Sequence, residues 1–507
     1  MSKSDAHMFN PGAVCPMTHC RWPISPHRFP LRHDQGGAIA IMFALLLIPI
    51  LGVCALALDL AMVYNRQAEM HSLARSVAIS AARRLNGSPA GISDAVNDAA
   101  ATASVTRFKN HSRAIAWSSA ALRFSSTPAR AGTWLDATSA SAAATAPGIY
   151  YVKVDTAALA EMGVVNTALA RILSPSLATV TTSSDAIAGR TDIAVAPLAI
   201  CAMSTAPAAS RPNGGAAAEL VQYGFRRGIS YDLVNLNPNG LAALSFVINP
   251  LARPGSTGLA ANLDTSTVGP YACSGTLGIP GLTGGALAVA SPFPLGSLYR
   301  QLNSRFDQYD GDVCHANGAP PDSNIKAYDY TGMVTPLQWT TKAVQGQTAT
   351  MYLGTSSRST YADLPYPGGT VGQYGPVWAY AKAVSYASYL ASPVEPEEGY
   401  TGMATTVWPS LYNTQGAKIS YPVTTPYNTD SGVTYAPPGA AHAPGIRNRR
   451  VLNVALLNCS TTPASSATVL AVGKFFMTVP ATSSVLAAEF AGTVPFDRLG
   501  GKIGVFQ

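Results

Sequence analysis

Apolar and polar positions along this chain fall into three regimes, and the first organises the rest. From Gly36 to Leu58 no side chain is charged and nearly all are apolar. At about 1.5 Å per residue, that run covers the roughly 30 Å hydrocarbon core of a bilayer. The pattern predicts a membrane span carrying Gly36, Ala38, Phe43, Pro49 and Leu58, with the lipid bilayer as its partner. Pro49 removes one backbone hydrogen bond, which a span tolerates better than a soluble helix does. Past Asp59 the apolar positions narrow to a stripe. Val63, Met70 and Val77 recur at heptad spacing with Gln67, Ala74 and Ala81 beside them. The helix is therefore expected to leave the membrane as an amphipathic stalk, offering that stripe to a partner helix or to its own domain. Gly87, Ser88 and Pro89 then end it.

The second regime, to about residue 190, mixes short patterns. A helix is expected over Ser93–Thr106 with Ser93 or Asp94 as cap. Strand-like runs lie at Ala121–Phe124 and Ile149–Val154, a short helix at Asn166–Leu173 and a further strand over Leu177–Ala188. The third regime opens at Asp192 with Ile-Ala-Val-Ala-Pro-Leu-Ala-Ile-Cys, an apolar run that reads as a strand buried on both faces. Between Tyr328 and Pro444, tyrosine, proline, glycine and threonine dominate. Surface loops around short strands are the simple reading, and a tyrosine-rich binding surface is the alternative. Residues 1–33, with Pro11, Pro16, Pro23, Pro26 and Pro30, lack periodicity and read as a disordered tail.

At 507 residues the chain has room for two or three domains. Charged residues make up only 12%, about half the usual share. Such a surface suits an extracytoplasmic protein, although a GC-rich coding sequence produces the same bias. The net charge of +7 is spread thinly. Arg83 with Arg84, Arg226 with Arg227, and Arg447 with Arg449 and Arg450 are short clusters that read as solvated surface, which argues against a nucleic-acid partner. Of seven cysteines, Cys201, Cys273, Cys314 and Cys459 lie beyond the span. Four thiols allow three pairings. Cys201 with Cys459 is the expected one, because each ends a strand-like apolar run, which leaves Cys273 with Cys314.

Chemistry is sparse. Cys15, His19 and Cys20 lack a second pair at zinc spacing. His111, His315 and His442 have no histidine or glutamate at ligand spacing. Ser323-Asn324-Ile325-Lys326 fits an S-x-x-K pattern without its K-T-G partner, and Glu395, Glu397 and Glu398 read as a solvated acidic turn. No catalytic residue, metal or cofactor is expected, so the chain does not read as an enzyme.

The N-terminal stretch resembles the TadE/TadG family of the Flp (tight adherence, Tad) pilus system. The resemblance rests on Asp34, Gln35, Gly36 and Gly37, then Ala38, Ile39, Ala40, Phe43 and Ala44, then Asp59 and Tyr64. Arg75 stands where that family usually has an acid. Weaker similarities to TadG-like proteins run through Tyr223–Gly228, Leu302–Asp307, Arg449–Cys459 and Phe475–Pro480. The resemblance implies an α+β fold: an N-terminal transmembrane helix and stalk (34–87), a pilin-like α+β region (88–190) and a mixed α/β or β-rich C-terminal periplasmic domain (191–507). Many TadG-like proteins carry a von Willebrand A domain with Asp-x-Ser-x-Ser after its first strand. Here that strand ends Cys201-Ala202-Met203-Ser204 without an acid, and Asp264, Ser266, Val268 is a poor substitute, so cation-dependent adhesion is not expected. Met42 stands where prepilin processing after Gly37 would place a Glu, so the span is expected to persist. The implied function is a membrane-anchored, non-catalytic component of pilus assembly in the bacterial inner membrane. Its N-terminus would be cytoplasmic, its bulk periplasmic, and its partners other Tad components or pilin-like proteins met through the N-terminal helix. The alternative is a secreted or surface-exposed adhesin-like protein cleaved after Ala57, since Ala55-Leu56-Ala57 has the form of a signal-peptidase site.

Overall fold

A computed structural model describes residues 36–507 apart from 109–111, 215, 237–243, 257–259, 329–380, 412–425, 433 and 507. The expected tail 1–33 and much of the tyrosine-rich stretch lie outside the described residues. Helix α1, Gly36–Arg84, is one rod of 49 residues running through Pro49. At about 1.5 Å per residue it is roughly 74 Å long. It ends before Gly87, whose φ of 77° breaks right-handed geometry. Helix α2, Pro89–Val105, starts several residues earlier than its apolar pattern suggested. Ser88 explains this, because its hydroxyl accepts the Gly91 N–H while Pro89 occupies the first helical turn. Ser88-Pro89 is thus both a stop and a start.

Ile92, Ala95, Ala99 and Ala103 of α2 recur at three- and four-residue spacing and are buried in one core with Met70, Leu73, Ala74, Val77, Ala78 and Ala81 of α1. Alanine on both helices permits close approach. Strands β1 (Leu122–Ser125), β2 (Tyr151–Asp155) and β3 (Asp185–Arg190) complete this core with Leu122, Phe124, Val152, Val154, Ala186 and Ala188. The helix expected over Asn166–Leu173 is reduced to α3, Ala170–Leu173, since Val164–Asn166 pairs as a strand with Thr179–Thr181. The single strand expected over Leu177–Ala188 is likewise broken before β3, where the Ser184 N–H turns to the Thr156 hydroxyl.

Beyond residue 190 come β4 (Leu198–Cys201), β5 (Ser230–Asp232), β6 (Ser245–Ile248), helix α4 (Thr265–Ser274), β7 (Leu287–Ala290) and helix α5 (Leu295–Asn303). Then follow β8 (Val451–Leu457), β9 (Ser466–Ala467), β10 (Val469–Met477), β11 (Ala487–Val494) and β12 (Ile503–Phe506). Eight of these strands form one sheet in the order β5-β11-β10-β8-β4-β6-β7-β9. Only β4 and β8 run parallel, with Ala199 opposite Ala455 and Cys201 opposite Leu457. Both faces are covered. Leu198, Ile200, Val454, Phe475 and Phe490 pack with Leu298 and Leu302 of α5 on one side, and Ala199, Cys201, Phe246, Ala455 and Val472 form the core on the other. That is why β4 reads as a continuous apolar run. Strand β12 leaves this domain and pairs antiparallel with β3, Ile503 opposite Arg190, making a four-stranded sheet β12-β3-β2-β1 under the stalk. The division anticipated at 190/191 is crossed by this returning strand. The fold is α+β.

Candidate membrane anchor and its junction with the folded domains

Among the described residues one helix is long and apolar enough to cross a membrane. Gly36 and Ala38 lie in its first turn, Phe43, Pro49 and Leu58 are exposed, and so are nearly all side chains from Ile41 to Leu58, with no face buried against the described residues. A rod of exposed leucine and isoleucine is costly in water and comfortable in hydrocarbon. It fits a single-pass anchor. Cys54, within it, is a free thiol.

The first charged residue after the run is also the first buried one. Asp59 is 2% exposed, and its carboxylate accepts the backbone N–H groups of Ala168, Leu169 and Ala170 at 2.9, 2.9 and 2.5 Å. These are the unsatisfied donors at the start of α3, so the acid caps a turn more than a hundred residues away in sequence. Burial pushes its pKa up, but the three N–H donors outweigh burial and hold it below the ordinary carboxylate value. The sequence marks Asp59 only as a motif position; its place at the end of the apolar run is the signal for a junction.

The heptad stripe divides at this point. Val63 is half-buried, whereas Met70 and Val77 are fully buried in the chain's own core with Ala74 and Ala81. The lower stripe is therefore occupied by α2 and the sheet, and the exposed side of the stalk carries Tyr64, Gln67, His71 and Arg75. Arg66 lies over the Phe108 ring at 4.9 Å and pairs with Glu69 at 3.3 Å.

At the far end of α1, Arg190 joins three parts of the molecule. Its guanidinium donates to the carbonyls of Arg83 (3.0 Å), Gly500 (2.8 Å) and Asp497 (3.3 Å). A cation on the last carbonyls of a helix also meets the negative end of its dipole. Burial pulls Arg190 below the ordinary arginine value. The Tyr150 hydroxyl donates to the Thr283 carbonyl, the Thr283 hydroxyl donates to the Pro147 carbonyl (2.8 Å), and Arg253 donates to the Ser126 carbonyl (2.8 Å). The stalk unit and the large domain are thus stitched along one polar seam.

Cys201 bonds to Cys459 across the parallel pair β4 and β8, closing 258 residues of chain, and Cys273 bonds to Cys314. Of the arginines read as solvated surface, Arg83, Arg84 and Arg447 are exposed, but three others are not. Arg226, Arg227 and Arg450 are at most 2% exposed. Arg226 Nε donates to Glu219 at 2.9 Å, and Arg227 forks onto Glu395 at 2.7 and 3.2 Å. Arg450 lies between the Phe306 and Phe476 rings and donates to the carbonyls of Met477, Thr478, Asn324 and Lys326. Glu395 likewise is buried rather than part of a solvated turn, while Glu397 and Glu398 are exposed. Burial pushes the Glu395 pKa up, and Arg227 with Lys474 more than reverses this.

The Ser323–Lys326 tetrapeptide is structural in what it offers. Asn324 donates to the Tyr328 hydroxyl and to the Tyr427 and Thr434 carbonyls, and the Asn324 and Lys326 carbonyls receive Arg450. Asp264 caps α4, accepting the Thr267 N–H and the Ser266 hydroxyl. Among the described residues no three His, Cys, Asp or Glu side chains cluster as a metal site would require.

No curated protein and no solved structure matches the chain. Residues 37–84, which cover the span and the whole stalk, match the Flp pilus-assembly TadE/G-like family, Tad. The rod that runs from the exposed apolar stretch past Asp59 into the core is therefore similar to the TadE/G-like segment of Flp pilus-assembly proteins.

Proposed function

We propose that this chain is a membrane-anchored, non-catalytic component of Flp pilus assembly that tethers or organises the machinery in the cell envelope. It sits once through the bacterial inner membrane, N-terminus in the cytoplasm and bulk in the periplasm. The observation that carries this reading is the unbroken helix α1, which bears the family match and passes from lipid-facing residues into a buried core. Two disulfides beyond the span support an oxidising compartment for the bulk. Partner helices meet the stalk on its exposed side, from Val63 through Gln67 to Arg75, because Met70 and Val77 already pack inward. The adhesin alternative would need cleavage after Ala57, inside the helix and two residues before the Asp59 clamp.

The test is made in cells that assemble these pili. A tether stays in the pellet on alkaline extraction, keeps residues before Ala57, is degraded by protease added to the periplasm, and is required for piliation. A photo-crosslinker at Gln67 captures another pilus component. A soluble product beginning at Leu58, a bulk protected in the cytosol, or normal pili in the deletion strain would each defeat the reading.

A further inference from the structure

Gly275 closes α4 in the left-handed region, with φ of 75°, and two guanidinium groups converge behind it. A Cβ at Gly275 would stand 2.7 Å from Arg305 Nη2 and 3.4 Å from Arg449 Nη1. Arg305 is fully buried. Its Nη1 donates to the carbonyls of Ala272 and Leu302 at 3.1 and 3.3 Å. Its Nε and Nη2, which together form one bidentate edge, have no acceptor among the described residues. Arg449 Nη2 donates to the Cys273 carbonyl. The nearby carboxylates are engaged elsewhere. Asp322 accepts the Tyr427 hydroxyl and the N–H groups of Asn324 and Arg450, and Asp307 accepts the Gly439 N–H and faces His442 Nδ1 at 2.6 Å.

Two like charges held close in a desolvated setting repel, and a buried guanidinium edge without an acceptor adds the cost of a missing hydrogen bond. Burial and the charge of Arg449 together pull Arg305 well below the ordinary arginine value. Beside Gly275 opens a cavity of about 280 Å³ lined by Ser274, Thr276, Arg447, Arg449 and Asn453, with no acidic side chain among the described residues of its wall. We propose that this cavity binds a phosphate-class oxyanion, free or as a phosphate ester, with Arg449 and Arg447 contacting it and Arg305 supplying positive charge beneath. Guanidinium forks match the oxygens of such anions; the Ser274 hydroxyl at the wall donates to the Tyr271 carbonyl and shares a hydrogen bond with Thr276. The volume leaves room for an ester substituent.

The full chain in non-ionic detergent is titrated calorimetrically with inorganic phosphate and, in a second arm, with glycerol 1-phosphate. Saturable binding at one site is expected, weakened at least tenfold in Arg449→Gln and in Arg447→Gln. Tighter binding of glycerol 1-phosphate identifies an ester as the natural source, and equal or tighter binding of phosphate identifies the free ion. Arg447 is exposed, so Arg447→Gln keeps the test open if Arg449→Gln does not fold, with far-ultraviolet circular dichroism as the check. Absence of saturable binding to the unaltered chain, or undiminished binding in a folded Arg447→Gln, overturns the proposal.

Discussion

Glu395→Ala is the most informative single change in the large domain. The carboxylate receives the Arg227 fork at 2.7 and 3.2 Å and Lys474 at 3.5 Å, in a setting where Arg227 is 1% and Glu395 5% exposed. Removing the acid leaves two cations facing each other, with Arg227 retaining Gln222 Oε1 and the Tyr400 ring. Breaking a buried pair from one side costs about 3–5 kcal/mol, because the surviving charge stays desolvated. In a domain of this size that lowers the melting temperature by roughly 6–20 °C. Thermal unfolding of the detergent-solubilised chain, followed by circular dichroism, reads the shift. The double variant Arg227→Met with Glu395→Leu is expected to recover part of it, since an apolar pair removes two of the three charges and leaves only Lys474, whose side chain is 21% exposed. If Glu395→Ala cost less than about 1 kcal/mol, the pair would be behaving as a screened surface bridge and the reasoning would fail. A double variant as unstable as the sum of the single ones would refute it equally.

Other expectations follow from the same geometry. Loss of the Cys201–Cys459 bond in a Cys201→Ala, Cys459→Ala variant frees a 258-residue loop and is expected to cost about 5–6 kcal/mol in urea unfolding. Met70→Ala, at a position 1% exposed between stalk and sheet, is expected to cost about 2–5 kcal/mol and to loosen α1 from α2 in hydrogen exchange. Asp59→Ala removes the acceptor of three N–H groups, so the amides of Ala168, Leu169 and Ala170 are expected to exchange faster while those of β2 keep their protection. For Glu395 the folded carboxyl lies below its ordinary value of 4.5, where the effect of burial is exceeded by Arg227. The folded state then binds fewer protons than the unfolded one. Its contribution is complete above that value and disappears as pH falls through the folded one. Glu395→Gln is expected to show a flatter loss of stability in acid than the parent chain.

Long-range polar contacts account for most of what the sequence did not reveal. The long apolar helix was legible because a long uncharged run of apolar residues favours one, and the buried strand β4 because both its faces are apolar. Helix α2 was legible in its period but not in its start, since Ser88 and Pro89 carry opposite signals for the helices on either side. Arg226, Arg227 and Arg450 read as surface because a basic doublet gives no hint of a carboxylate 168 residues away, the separation between Arg227 and Glu395. Their flanks did carry a clue. Tyr223, Gly224, Phe225 and Gly228 around Arg226, like Gly492 against Arg227, are residues that let a guanidinium be enclosed. Asp59 was visible as a motif position, but its partners are backbone N–H groups, which any sequence supplies.

Strand β12 has a consequence for the order in which the fold closes. Arg190 and Gly500, which it brings together, stand 310 residues apart, and β3 has no neighbour on that side until residues 503–506 arrive. Until that strand is made, the sheet under the stalk presents a bare edge, ready to zip onto any extended segment that passes. Closure by residues 503–506 makes the arrival of that strand the event that seals the sheet, so a product truncated before it would keep an adhesive edge near the Arg83 end of α1.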